Sequence, residues 1–205
     1  MADPLRIATF NASLSRDRAG ALIEDLSAPD DPQARKVAAI VQEVRPDILL
    51  LNEFDHDPDG RAVELFQTNY LGQGQGGQMP VEYPYSFAPP SNTGLPAGID
   101  LDGNGRIGGP GDAQGFGRFE GQYGMVFLSK HPIRVDEVRS FQTLLWRDMP
   151  GALLPEGFYS PEALAVLRLS SKNHVDVPVS VGGEILHLLA SHPTPPVFDG
   201  PEDRN

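Results

Sequence analysis

Three apolar runs in this chain end on polar residues able to do chemistry. Leu5, Arg6, Ile7, Ala8, Thr9 and Phe10 lead into Asn11; Ile48 to Leu51 lead through Asn52 into Glu53; Ile185, Leu186, His187, Leu188, Leu189, Ala190 and Ser191 lead into His192. If each run is a strand, alternation puts Glu53 on the face of Leu49 and Leu51, and His192 on the face of Leu186, Leu188 and Ala190. A carboxylate beside a carboxamide at the carboxyl rim of a sheet offers oxygen ligands to a hard cation such as magnesium, which takes few protein ligands and keeps several waters. An imidazole at the same rim can protonate a leaving group or hold a phosphoryl oxygen. Each has a blander assignment: Asn11 as a turn former, Glu53 as a carboxylate exposed at a strand end, His192 as a surface residue closing a strand before Pro193. Glu53 is the sharpest, because a carboxylate closing so apolar a strand is rarely buried without a partner.

A second oxygen-rich pattern lies mid-chain. Asp100, Asp102 and Asn104, with Gly105, Arg106 and Ile107 after them, reproduce the first eight positions of an EF-hand-type calcium loop. The twelfth position, a bidentate Glu in that motif, is Gly111 here, and Asp112 follows. The pattern reads either as a calcium site of modest affinity, closed by Asp112 or by water, or as a Gly/Asp-rich turn.

The elements that must position these groups follow from period and punctuation. Leu5–Phe10 reads as a short buried strand and residues 18–26 as a short helix. A longer helix is predicted over 32–45, with Asp31 as N-cap, Pro32 as its first residue and Val37, Ile40, Val41 and Val44 as its apolar stripe. Pro46 ends it, and 47–53 is a buried strand, so the start of the chain is a β-α-β unit with parallel strands. Residues 70–121 hold fourteen glycines and six prolines, a density neither helix nor sheet tolerates. They read as one long insertion loop, packed on itself through Tyr83, Tyr85, Phe87, Phe116 and Phe119. Beyond it come a strand over 123–129, a helical turn over 160–167 capped by Ser160, and two strands around Gly182-Gly183. Another helix begins within 201–205.

Composition narrows the function. The 205 residues carry a formal charge of −12, so long-range electrostatics repel polyanions. With no cysteine, disulfides, thiolate catalysis and Cys-ligated zinc are excluded. No apolar run, Ile48–Leu51 included, is near the length needed to span a bilayer, and MADPLRIATF has neither the basic nor the apolar region of a signal peptide.

The blocks RIATFNASLSR, PDILLLNE, GQYGMVFLSKHPI and ILHLLASHPTPP, in this order, resemble the first four blocks of the endonuclease/exonuclease/phosphatase superfamily, the DNase I-like metal-dependent phosphoesterases. The resemblance covers almost the whole chain outside the loop. It implies an α+β fold, a two-sheet β-sandwich flanked by helices. It also implies a divalent metal, Mg2+ or Mn2+, on Asn11 and Glu53, with His192 at the scissile phosphate or the leaving group. Lys172 and His174 are further candidates for the phosphate pocket, though both also read as solvent-exposed loop residues. The family's later Gly-Asp-x-Asn and Ser-Asp-His blocks have no counterpart: the only Gly-Asp pair, Gly111-Asp112, continues Ala113-Gln114. Residues 1–205 therefore resemble the N-terminal part of one such domain, with its second sheet largely missing and apolar sheet surface left uncovered.

The expected function is metal-dependent hydrolysis of phosphate mono- or diesters, in which the missing C-terminal part of the domain is a partner. The charge favours a small molecule, lipid headgroup or nucleotide over duplex DNA. The alternative is a non-catalytic fragment or calcium-stabilised binding module of the same fold. A modest-affinity calcium loop suits millimolar calcium, hence an extracellular or periplasmic setting.

Overall fold

A computed structural model describes residues 4–194. Strands β1 (Ile7–Leu14) and β2 (Ile48–Phe54) pair in parallel, with helices α1 (Ala21–Leu26) and α2 (Pro32–Val44) in the crossover. Asp31 caps α2 by accepting from Ala34 N at 2.6 Å, and Arg45, in the left-handed region at φ 48°, ends the helix before Pro46. Strand β3 (Tyr85–Phe87) pairs with β4 (Met125–Ser129), which runs antiparallel to β2, giving the order β1-β2-β4-β3. Between β2 and β3, helix α3 (Arg61–Phe66) runs into one π turn, Gln67–Leu71. The second sheet is antiparallel, with order β5 (Arg139–Ser140), β6 (His174–Val181), β7 (Glu184–Ser191), and α4 (Pro161–Val166) precedes β6. Gly182 and Gly183, both at positive φ, make the tight β6–β7 turn.

Alternation along β2 assigns the layers. Leu49 and Leu51, with Leu14, Val126 and Leu128, face the core shared with α1, α2 and α3, where Val37, Val41 and Phe66 are buried. Ile48 and Leu50, with Phe127, meet Val175, Val177, Val179, Leu186 and Leu188 of the second sheet. The molecule is the α+β, two-sheet structure with outer helices that the resemblance implies. The second sheet, expected to be largely missing, has three strands among the described residues, and Leu189 on its outer face is 80% exposed. The helix start expected within 201–205 lies outside the described residues. Among the described residues no helix is long and apolar enough to cross a membrane.

Three expectations need correction. Strand β1 is not buried but lies at the sheet edge, with Ile7, Thr9, Asn11 and Ser13 exposed on one face, and it runs on through Asn11 to Leu14. The buried side of α2 is Ala34, Val37, Ala38, Val41 and Gln42, while Ile40 is 46% exposed and Val44 is exposed as well. The face is turned because the π turn needs Gln42. Its amide donates to the carbonyls of Tyr70, Leu71 and Gln73 and accepts from Gln75 N, so a buried side chain closes a backbone that glycine and proline leave open. Residues 70–121 are also not one uninterrupted loop, and of the five aromatics expected to hold it Tyr83 is buried in the helix-side core and Phe87 packs beside Phe127. The segment contains β3 and a 3-10 turn at Pro110–Asp112, and Tyr85 and Phe116 are exposed.

Gln42→Ala removes four hydrogen bonds, those to Tyr70 O and Leu71 O buried and those to Gln73 O and from Gln75 N part-buried, which costs about 3 kcal/mol. Thermal denaturation should show Tm lower by about 6–12 °C. Ile40→Ala should shift Tm by no more than about 2 °C, the reverse of what the apolar stripe in the sequence predicts.

Candidate functional site

The carboxyl ends of β1 and β2 are out of step. Asn11 pairs with Asn52 and Leu14 with Phe54, so two residues of β1, Ala12 and Ser13, stand opposite Glu53 alone. This is a β-bulge, and both residues at its centre are in the left-handed region: Ser13 at φ 54° and Glu53 at φ 57°. The twist at Glu53 breaks the alternation. Phe54 joins Leu49 and Leu51 in the helix-side core, and Glu53 turns to the opposite side, where Asn11 and Ser13 lie. The expected shared face with Leu49 and Leu51 is thus corrected by the backbone conformation of one residue.

The Asn11 amide donates to Glu53 Oε1 at 2.8 Å, and its Oδ1 accepts from Ser13 N at 3.1 Å. Ser13 Oγ donates to Glu53 Oε2 at 3.3 Å. His192, just past β7 and on the inward face of Leu186, Leu188 and Ala190, brings Nε2 to 4.0 Å from Glu53 Oε1. Its Nδ1 is buried without a hydrogen-bond partner. Burial, then the charge of Lys172, push the His192 imidazole below its ordinary pKa, against the pull of Glu53.

Lys172 is only 9% exposed, which corrects its reading as a solvated loop residue. Its ammonium has one long hydrogen bond, 3.5 Å to Ser171 Oγ, and no carboxylate within ion-pair distance among the described residues. Burial lowers its pKa, and Glu53 partly restores it. The backbone holding it is tightly tied to the glycine-rich region. Asn92 N donates to Lys172 O at 2.8 Å, Asn92 Nδ2 to Ser170 O at 2.7 Å, and Thr93 Oγ1 to Ser171 O at 3.1 Å. His174 goes elsewhere. It opens β6 opposite Ser191, on the face turned away from Val175 and Val177, and its imidazole, also lowered in pKa by burial, makes no hydrogen bond or ion pair with Glu53, Lys172 or His192 among the described residues.

The donor set at the rim fits a hard divalent cation: one carboxylate, the Asn11 carbonyl oxygen, and Asn52 Oδ1, which is buried without a partner one residue before Glu53. Sequence reading passed over Ser13 and Asn52 because neither bulge nor left-handed backbone shows in residue types.

In the glycine-rich region, carboxylate oxygens of Asp100, Asp102 and Asp112 lie within 4.8 Å of one another. Asn104 N donates to Asp100 and Asp102, Gly105 N to Asp100, and Arg106 N to Asn104 Oδ1. Asp112 is buried and accepts from the N–H groups of Leu101, Asp102 and Gly108. Burial pulls its pKa up, but these three donors outweigh that and hold it below the usual value. A Cβ at Gly111 would collide with Asp102 Oδ2, so glycine at this position keeps the cradle open.

The sequence profile of the Endonuclease/Exonuclease/phosphatase family matches residues 8–204, and the chain belongs to that family. Solved structures similar to it include an endonuclease/exonuclease/phosphatase family protein from Leptotrichia buccalis C-1013-b, with 13% identity and a TM-score of 0.46 over 96% of this chain and 57% of that one. An endonuclease/exonuclease/phosphatase from Beutenbergia cavernae DSM 12333 has 20% identity and a TM-score of 0.41 over 90% and 37%. Sphingomyelinase C from Streptomyces griseocarneus has 20% identity and a TM-score of 0.41 over 93% and 49%. The chain thus spans roughly half the length of these proteins or less. No curated protein matches it.

Asp55, two residues beyond Glu53, is a rim group that the sequence reading missed. Its only sequence signal is the crowding of titratable residues over 53–57. It is 6% exposed, and its carboxylate accepts from Arg16 N at 2.7 Å and Tyr123 N at 3.1 Å, tying the end of β1 to the start of β4. Burial raises its pKa from 3.8 to about 6, against those two donors and the Arg16 charge. The folded state therefore holds this proton more tightly than the unfolded chain. The contribution is fully present below the unfolded pKa and is lost as pH rises through about 6, amounting to about 3 kcal/mol. Urea denaturation of the native protein and Asp55→Asn across pH 4–7 should show the native protein losing stability relative to the variant as pH rises. A pH-independent difference would contradict the burial argument.

Proposed function

We propose that the protein hydrolyses phosphate mono- or diesters with a divalent cation, Mg2+ or Mn2+, held by Asn11 and Glu53. The observation that carries this reading is the convergence of Asn11, Glu53, Lys172 and His192, from four separate stretches of chain, on one rim. When bound, such an ion polarises a phosphoryl oxygen and stabilises the leaving oxygen. Around such an ion the chain's own groups position the carboxylate, bind phosphate and supply a proton. Asn11 and Ser13 fix both oxygens of the Glu53 carboxylate. The under-satisfied Lys172 ammonium offers charge-assisted hydrogen bonds to a phosphate oxygen. His192 Nε2 donates to a phosphoryl oxygen or delivers a proton to the leaving group. His174 has no role in this reading. The charge of −12 supports a small phosphoester, lipid headgroup or nucleotide as substrate rather than duplex DNA.

The second metal position in this reading is structural. Asp100, Asp102 and Asp112 bring carboxylate oxygens within 4.8 Å of one another, with Gly111 keeping the space open, and in this reading Asn104 and the Arg106 carbonyl would complete a calcium site. A calcium-stabilised binding module without catalysis would use the same cradle. A modest-affinity site of this kind supports an extracellular or periplasmic setting.

In the full-length protein Glu53→Gln should lower Mg2+-dependent hydrolysis of a chromogenic phosphodiester or monoester about 100-fold or more with the circular dichroism spectrum unchanged; full activity in the variant would end the assignment. Calcium should raise Tm by mass action and protect residues 98–113 from proteolysis, and Asp102→Ala should remove both effects. Identical protease patterns in calcium and in chelator would leave the segment a turn.

A further inference from the structure

We propose that Ser13 is a positioning residue, whose strained backbone at the β1 bulge holds its hydroxyl against Glu53 and fixes the orientation of that carboxylate for the metal. The inference rests on the reading of Glu53 as a metal ligand.

The local geometry is costly without such a role. Ser13 is not glycine, yet it lies at φ 54° directly across from a second non-glycine residue, Glu53, at φ 57°. Non-glycine residues in this region are uncommon and persist only where their surroundings over-determine them. Here the surroundings are specific. Gln33 of α2 donates from Nε2 to Ser13 O at 2.7 Å, and its Oε1 accepts from Arg16 Nη1 at 3.3 Å. On the other side of the peptide, Ser13 N donates to Asn11 Oδ1. The two neighbours along β1, Ala12 and Leu14, are buried in the helix-side core. With the backbone clamped on three sides, the Ser13 hydroxyl has one hydrogen-bond partner among the described residues, Glu53 Oε2.

The result is a fork. Asn11 donates to one carboxylate oxygen and Ser13 to the other, both from the same strand edge. Glu53 is half-buried, and without these two donors its carboxylate could still rotate among several rotamers at the strand end. Two donors reduce that freedom while leaving each oxygen with a second lone pair, so the carboxylate is pre-organised without being consumed. Glycine at position 13 would relieve the backbone but lose the hydroxyl. Alanine would lose the hydroxyl and keep the strain.

That contrast supplies the test. Mn2+ binding to the full chain is measured by electron paramagnetic resonance of the free ion, in an Asp102→Ala background that removes the loop as a competing site. Glu53→Gln, Ser13→Ala and Ser13→Gly are compared, each with its Tm. Glu53→Gln should abolish binding at the rim. Ser13→Ala and Ser13→Gly should each raise the Mn2+ Kd about tenfold, or about 1.4 kcal/mol. Ser13→Gly should meanwhile raise Tm by about 2 °C, so affinity and stability move in opposite directions. A merely structural Ser13 would leave the Kd untouched. If both Ser13 variants bind Mn2+ like the parent while Glu53→Gln does not, the positioning role is overturned. Loss in one Ser13 variant alone also overturns it, because the hydroxyl is missing from both. If Glu53→Gln leaves the Kd unchanged, the metal reading falls and takes this inference with it.

Discussion

The arrangement of the rim depends on one backbone event, the single-residue bulge that puts Ala12 and Ser13 opposite Glu53. Regular alternation would send the Glu53 side chain into the helix-side core among Leu49, Leu51 and Val126, where an unpaired carboxylate is expensive to bury. The left-handed conformation at Glu53 avoids this. It returns Phe54 to that core and swings the carboxylate to the side of Asn11 and Ser13. Two such residues cost on the order of 1 kcal/mol each or more. The burial of Leu14 and Phe54 on either side, and the Asp55 bridge to Arg16 and Tyr123, oppose the chain's return to regular pairing.

The glycine-rich region acts on the same rim from the other side. Its contacts are mostly backbone and amide bonds, because so much glycine leaves few side chains to pack. Asn92 is the centre of these. Besides its bonds to Lys172 O and Ser170 O, it donates to Gln142 O and accepts from Arg168 Nη1. Asn173 adds a bond to Pro90 O. Such a network is rigid because every member is satisfied. It is also the reason a lysine can sit almost buried with one weak hydrogen bond of its own: the backbone around it is fixed by groups it does not share.

What the sequence made legible was periodic. The β-α-β start, the Asp31 and Ser160 caps, the Gly182-Gly183 hairpin and the inward face of β7 all follow from residue types at fixed spacing, and each recurs in the structure. Asn11, Glu53 and His192 meeting at one rim was legible as strand endings. What stayed hidden was local geometry. No residue pattern announces a bulge whose centre is Ser and Glu rather than Gly, so the Glu53 face came out wrong and Ser13 unnoticed. Lys172 read as exposed because SSKNH has the composition of a loop, and its burial comes from Asn92 and Thr93, some eighty residues earlier. The α2 face was misplaced for the same kind of reason. A glutamine that bonds four backbone groups in and just beyond a π turn outweighs two exposed aliphatics, and hydrophobic period carries no information about hydrogen-bond demand.

The two oxygen-rich positions differ in a way that separates their chemistry. The rim holds one carboxylate with a lysine and an imidazole nearby, so its own charge is close to neutral and its ligands are few. That composition matches a cation that keeps most of its water and shares the remaining positions with a phosphate. The loop gathers three carboxylates within 4.8 Å, with backbone N–H groups already stabilising their charge. Clustered anions of this kind match a larger cation that takes six or more oxygens. Under the proposed assignment the two ions would not exchange: magnesium would have to shed its waters in the loop, and calcium would find too few oxygens at the rim. The separation follows from chain architecture, because a strand rim presents side chains singly and a tight glycine turn brings successive carboxylates together.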